Sequence, residues 1–303
     1  MRRTSLALAL VPVALLAAAC GSSSTSTPSS SSPSTTTSAS ASDATSASSS
    51  PSTNPCSPSQ LQTLKPGTFT VATGNPAFPP WVVDDKPESG KGYEAAVTYA
   101  VAKQLGYAPT DVTWIRTTFD SAIAPGPKKF DVNIQQFSIS EDRKKAVDFS
   151  SGYYDLTQAV VSFKGSKIEK VTTVAGLKDA KLGAQLGTTS LQAITDVIAP
   201  TQKPSVFRDN ATAVSALKNH QIDGLVVDLP TAFYISGAEL TDGLIVGQLP
   251  NTADQKEQLG FLLAKGSPLT TCVTQAVDAL RADGTLAKLQ ETWLANQGAP
   301  VLS

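Results

Sequence analysis

From position 67 to 294 the chain alternates short apolar runs with longer stretches in which apolar residues recur every three or four positions, the pattern of strands separated by helices. Residues 67–73 alternate as a strand, and 75–81 hold too many prolines to continue it, so a loop is expected at the strand's end. A helix over 94–105, closed by Gly106, a strand over 112–115, a short helix start at 119–123 and a strand over 131–134 follow. Residues 138–140 read as the end of a strand, Ser140 opens a helix whose first turn carries Glu141 and Asp142, and 147–149 are extended again. At 156–163 the chain is strand-like and the pattern restarts, as though a second α/β lobe were inserted. Its parts are a strand at 181–185, a glycine turn Gly187-Thr188-Thr189-Ser190 opening a helix over 191–198, a helix at 212–217, a buried-type strand over 222–228 and a helix from near Thr231. A returning strand at 260–265 and helices around Ala276 and Leu289 complete the first lobe.

The first 55 residues have a different character. Arg2 and Arg3 precede an apolar run, 6–16, that is too short for a membrane span, so 1–20 reads as a secretory signal. Its end, Leu16-Ala17-Ala18-Ala19-Cys20-Gly21, resembles a bacterial lipobox, with Cys20 as the lipid attachment point and Ala17 departing from the usual leucine; a plain signal peptide is the other reading. Residues 21–55, almost all Ser, Thr, Ala and Pro, lack the apolar side chains that offset the entropy of ordering, and read as a disordered tether. Once Cys20 is lipidated, Cys56 and Cys272 remain in an exported chain. A disulfide is their natural pairing, although two free buried thiols would also fit.

Length and charge narrow the function. The 303 residues allow about two domains, and a formal net charge of −1 leaves no electrostatic footprint for nucleic acid. One histidine and three cysteines are too few for a zinc site of ordinary spacing, and a Ser-His-Asp triad would rest on His220 alone.

Candidate chemistry concentrates in 138–154, SISEDRKKAVDFSSGYY. Arg143 at a helix start offers a planar fork of donors for a carboxylate, with the Ser138 hydroxyl beside it; a solvated surface arginine is the alternative. The Gly187 turn, with Thr188 and Thr189 at a helix N-terminus, also favours an anion, or is simply a cap. Asp228, at the carboxyl end of a strand, could face a ligand ammonium group or cap the next helix. Phe78 and Trp81 lie on the loop after the first strand, where ligands bind in open α/β sheets, and either could instead pack beneath it.

SISEDR-x4-DFS-x-x-YY resembles the corresponding run in the polar amino-acid-binding proteins of bacterial ABC importers, extracellular solute-binding protein family 3. GTFTVAT with FPPW, GYEAAVTYAVAKQLGY, LKDAKLGAQLGTTS, ALKNHQIDGLVVDLP and the closing pair GFLLAKGSPL and LRADGTLAKLQETWL agree with it in order, over roughly 65–295. The resemblance implies a two-lobed periplasmic-binding-protein-like α/β fold of type II: two open sheets with helices on both faces, joined by a two-crossing hinge. Lobe 1 would take 56–155 and 258–303, and lobe 2 would take 156–257. It implies a zwitterion clamp from opposite lobes. Arg143, Ser138 and Thr189, with Thr188, would take the carboxylate; Asp228, helped by the Gln136 carbonyl, would take the ammonium; Phe119 would stack on the ligand. Where glutamine- and histidine-binding relatives carry an acid after the first strand, this chain has Gly74; Gln136 replaces a small residue, and Gln185 stands where relatives can carry a cation. A polar uncharged amino acid such as glutamine is therefore expected, delivered to an ABC permease by a monomeric, lipid-anchored protein without cofactor, metal or enzymatic activity. A sensor module, or a dehydratase on the same fold, are the other classes.

Overall fold

The computed structural model describes residues 54–250, 256–294 and 298–303. The signal, the Cys20 lipid site and the tether up to residue 53 lie outside these residues. In the first lobe, β1 (Phe69–Thr73) leads through a proline-rich loop to α1 (Tyr93–Gln104), then β2 (Val112–Arg116), α2 (Phe119–Ile123), β3 (Val132–Asn133), α3 (Glu141–Lys144) and the long β4 (Val147–Leu156). One residue later β5 (Gln158–Phe163) begins the second lobe, followed by β6 (Leu182–Gln185), α4 (Thr189–Ala193), β7 (Ser205–Phe207), α5 (Asn210–Lys218), β8 (Gly224–Asp228), α6 (Leu229–Tyr234) and β9 (Gly243–Gln248). The chain returns as β10 (Glu257–Ala264), α7 (Thr270–Ala282) and α8 (Thr285–Trp293). No strand is expected from the sequence over β9, whose glycines at both ends break the apolar run.

Each lobe contains a five-stranded sheet, in the orders β2-β1-β3-β10-β4 and β7-β6-β8-β5-β9. The plans correspond. β1 is parallel to β2 and β3, β6 is parallel to β7 and β8, and each parallel trio is extended by antiparallel strands. The crossover helices supply the apolar faces that close the sheets. In the first lobe Phe69, Val97, Val101, Phe261, Val273 and Val277 share one core, and in the second Val161, Leu217, Leu225 and Ile235 share another. Open parallel sheets of this type present their ligand crevice at the carboxyl ends of the strands. Here those ends are Thr73, Asn133, Gln185 and Asp228.

Thr157 alone separates β4, in one sheet, from β5, in the other, which makes this the first crossing between the lobes. Cys56 and Cys272 are joined by a disulfide with Cα atoms 5.4 Å apart, pinning the first described residues to α7. Residues 298–303 depart from the assignment of 258–303 to the first lobe. The Leu302 N–H donates to the Gln248 carbonyl at 2.9 Å, the Val174 N–H donates to the Ser303 carbonyl at 2.9 Å, and the Leu302 side chain is buried with Leu177, Val246 and Leu249 of the second lobe. A two-residue apolar pair, Val301-Leu302, at the end of the chain is too short to carry a periodic signal, so only the available apolar gap beside β9 determines where Leu302 goes. Among the described residues no helix is long and apolar enough to cross a membrane.

Candidate functional site

The carboxyl ends of β3, β6 and β8 converge on a cavity of about 60 Å³ between the lobes. Phe119, Gln135, Gln136, Ser138 and Arg143 line it from the first lobe, and Gln185, Thr188, Thr189, Ser190, Asn210 and Asp228 from the second. Leu156 and Gln158 line it from either side of the crossing. Eight of the ten ligand-contact candidates named from the sequence are thus brought together.

Arg143 is delivered by α3, whose N-cap Ser140 accepts the Arg143 N–H at 3.3 Å. Its guanidinium donates to the Ser138 carbonyl at 2.7 Å and, across the cleft, to the Gly187 carbonyl at 2.9 Å. It also lies 5.3 Å from the centre of the Phe119 ring, whose other neighbour is Phe137, stacked at 4.8 Å. Burial lowers the arginine's pKa from its ordinary value, with the Glu257 charge acting in the opposite direction. Gly187 has φ +74°, and a Cβ there would stand 3.2 Å from Asp120 Oδ1 of the other lobe, so both its conformation and the close approach favour glycine.

Thr188 caps α4, its hydroxyl accepting the Leu191 N–H at 3.2 Å. The next hydroxyl, on Thr189, meets the Ser138 hydroxyl at 3.1 Å from the opposite lobe. Gln158, which sequence reading passes over as the start of an apolar strand, organises this corner. Its amide nitrogen donates to Thr189 Oγ1 at 3.2 Å and to Glu257 Oε2 at 3.1 Å, while its carbonyl oxygen accepts from the Ser190 hydroxyl at 2.7 Å.

Asp228 both caps a helix and faces the cavity. It caps α6, accepting the Thr231 N–H and the Thr231 hydroxyl, each at 2.8 Å, and it still lines the cavity. Burial, with a contribution from Glu257, pushes its pKa up to about 6 against the Thr231 hydrogen bonds that lower it.

Glu94 has no warning in the sequence beyond its place in the first turn of α1. It is fully buried and accepts hydrogen bonds from the Gln136 N–H at 2.8 Å, from the Gln136 side-chain amide and from the Tyr153 hydroxyl. Burial pushes its pKa up to about 7, the three donors opposing it. Gln136, at φ +50°, is held in place by this acid.

Two candidates lie elsewhere. Phe78 does not line the cavity; it stands over α5 and α6, beside Val214, Thr231 and Tyr234, in a separate pocket. Trp81 is 1% exposed, packed edge-on against Tyr93 and Tyr154, with its indole N–H donated to Thr231 Oγ1 at 2.8 Å. Both are loop aromatics covering something, but what they cover is protein. The acids of the same loop also stay outside the cavity lining, and Asp85 is paired with Arg116. His220 is exposed and stacks on Phe163, 4.0 Å between ring centres, so it has no place at this site. Among the described residues no group of His, Cys, Asp and Glu is arranged to hold a metal ion.

Known proteins match this arrangement over most of the chain. The L-cystine-binding protein TcyJ of Escherichia coli (strain K12) is 28% identical over 230 residues, 75% of this chain and 82% of that protein. Among solved structures, an ancestral arginine-binding protein bound to glutamine is 33% identical with a TM-score of 0.62, covering 76% of this chain and 99% of that one. The ancestral amino acid-binding protein AncCDT-1, a precursor of cyclohexadienyl dehydratase, is 32% identical with a TM-score of 0.62, covering 75% of this chain and 95% of that one. The sequence profile of one family spans residues 69–296, from β1 to just beyond α8, and this chain belongs to it: the bacterial extracellular solute-binding proteins, family 3.

Proposed function

We propose that this protein captures a free amino acid with a polar, uncharged side chain by closure of its two lobes and presents it to an ABC permease, anchored outside the cytoplasmic membrane through Cys20. The observation that carries the reading is that Arg143 and Asp228, a fixed cation and an acid, line one small cavity from opposite lobes. An α-carboxylate and an α-ammonium group lose their hydration on entering such a space and need charged partners there. Since each partner belongs to a different lobe, a ligand engages both only when the lobes are closed, and its differential affinity drives closure.

The side-chain end of the cavity supports an uncharged ligand. Gln135, Gln185 and Asn210 face it, and Gln135 Oε1 is buried without a hydrogen-bond partner. A carboxamide both donates and accepts, so these groups complement another amide better than a full charge. The acids that could serve a cationic side chain are otherwise engaged: Glu94 by Gln136 and Tyr153, and Asp85 by Arg116.

Turnover on the same fold, suggested by the dehydratase lineage of one structural neighbour, would need a general acid or base facing the cavity. Asp228 lines the cavity with a raised pKa but is held by the Thr231 N–H and hydroxyl, and Glu94 lies behind Gln136 and outside the lining, which favours binding without chemistry.

A thermal-shift screen against the twenty amino acids and L-cystine tests the reading. A ligand at 100 times its Kd stabilises by about 2.7 kcal/mol, so L-glutamine or a similar neutral polar residue is expected to raise Tm clearly. Larger shifts with L-arginine or L-cystine would overturn the side-chain assignment, and no shift with any amino acid would overturn the function.

A further inference from the structure

The lobes are also bonded to each other outside the cavity lining. Trp81, on the loop of the first lobe, donates its indole N–H to Thr231 Oγ1 of the second lobe at 2.8 Å, and Thr231 Oγ1 stands 2.8 Å from Asp228 Oδ2. The direction of every proton in this chain is fixed by chemistry. An indole nitrogen can only donate and an ionised carboxylate can only accept, so the Thr231 hydroxyl must receive from Trp81 and give to Asp228. Both Trp81 and Thr231 are buried, at 1% and 6% exposure, which leaves little water to replace a lost partner.

We infer that Trp81 is a positioning residue for the ammonium-binding carboxylate: acting through Thr231, it aligns Asp228 when the lobes are closed and makes the closed state, rather than the second lobe alone, the state in which the carboxylate is held. The inference rests on the proposed amino-acid site and adds to it a residue that touches no ligand. Trp81 is itself held from the hinge side, because Tyr154 of β4 packs edge-on against its ring 5.7 Å away, three residues before the crossing at Thr157. The ring therefore connects the crossing strand with the second lobe's binding acid, and opening the lobes would break the Trp81–Thr231 bond. The Asp228 cap on α6 would survive, since the Thr231 N–H belongs to the same lobe.

Three variants of the purified protein separate this role from simple packing. Trp81→Phe keeps an aromatic ring and removes the N–H. Thr231→Val keeps the shape and the capping N–H and removes the hydroxyl. Thr231→Ser restores the hydroxyl. Titrated calorimetrically with L-glutamine, Trp81→Phe and Thr231→Val are each expected to weaken binding about two- to tenfold. The loss should appear as faster dissociation, the double variant should be little worse than either single one, and Thr231→Ser should be close to the parent. Equal affinity in the parent and both single variants, or losses that simply multiply, would overturn the inference.

A second readout does not depend on which amino acid binds. In an NMR spectrum the indole N–H signal absent from Trp81→Phe identifies Trp81 among the three tryptophans. It is expected to exchange slowly with solvent in the parent and at least tenfold faster in Thr231→Val. If no amino acid binds the parent while this protection is seen and lost as described, the functional reading falls and the interlobe bond stands. If the Trp81 proton exchanges equally fast in both proteins, the bond, and the inference with it, is overturned.

Discussion

The Arg143 guanidinium reaches across the cleft to the Gly187 carbonyl, 2.9 Å away, while its other arm holds the Ser138 carbonyl of its own lobe at 2.7 Å. The group proposed to hold the ligand carboxylate is therefore also a clamp between lobes, preorganised by two backbone oxygens and by the Phe119 ring. Preorganisation of this kind reduces the cost of ordering the site on binding.

Arg143→Ala removes both arms and leaves a bound carboxylate poorly paired, so binding should weaken by about 2–5 kcal/mol. Asp228→Ala should cost a similar amount by stranding the ammonium. Because either loss already disfavours closure, the double variant should lose less than the sum. Calorimetry of the two single variants and the double variant measures this; parent-like affinity in Arg143→Ala would place the site elsewhere.

Glu94 gives the ligand-free protein a pH dependence of definite sign. Its pKa rises from 4.5 to about 7, so the folded state holds this proton more tightly than the unfolded one. Its contribution is most favourable below pH 4.5 and falls as the pH rises to about 7, by about 3 kcal/mol in all. Asp228, raised from 3.8 to about 6, acts in the same direction. Glu94→Gln should remove the larger part of this slope, gaining about 2–3 kcal/mol relative to the parent between pH 5 and pH 8. Urea denaturation of both proteins at the two pH values tests it, and parallel pH profiles would contradict it.

The disulfide closes a loop of sequence separation 216. In the chain-entropy account such a loop contributes about 5 kcal/mol, an upper figure when the reduced unfolded chain retains structure. Reduction should therefore lower Tm markedly while changing affinity little, since Cys56 and Cys272 lie in the first lobe's core and not in the cavity lining. A reduced protein with unchanged Tm would count against this account.

Leu302 predicts an effect far in sequence from the lobe it stabilises. It is 2% exposed in the second lobe's core, beside Leu177 and Val246. Leu302→Ala should destabilise by about 2–3 kcal/mol, the low end for a buried leucine because the segment can detach instead of leaving a cavity. Hydrogen exchange should rise at Val174 and Gln248, whose N–H groups donate to carbonyls of this segment, and a rise confined to α7 and α8 would show that the residue acts on the first lobe instead.

The anchor has its own test. Cys20→Ala should release the protein from the membrane into the medium without altering amino-acid binding by the purified protein. Membrane retention of that variant would contradict the lipid site.

Local chemistry explains what could be read from the chain. The caps at Ser140, Thr188 and Asp228 and the short helix after Thr118 depend on contacts three or four residues apart, and side-chain type determines such contacts before any tertiary structure forms. Ordered motifs also carried the two lobes and the arginine–aspartate pair. Other features were decided by residues far apart in the chain. Trp81 finds its partner 150 positions away, Gln158 finds Glu257 at a separation of 99, and Glu94 finds Gln136 at a separation of 42. A tryptophan on a proline-rich loop looks the same in sequence whether it covers a ligand or bonds to another lobe. An acid in a first helical turn looks the same whether it is solvated or sealed beneath a glutamine. Burial separates these cases, because it removes the water that would otherwise satisfy each polar group and makes a protein partner obligatory, and burial exists only once both lobes are in place.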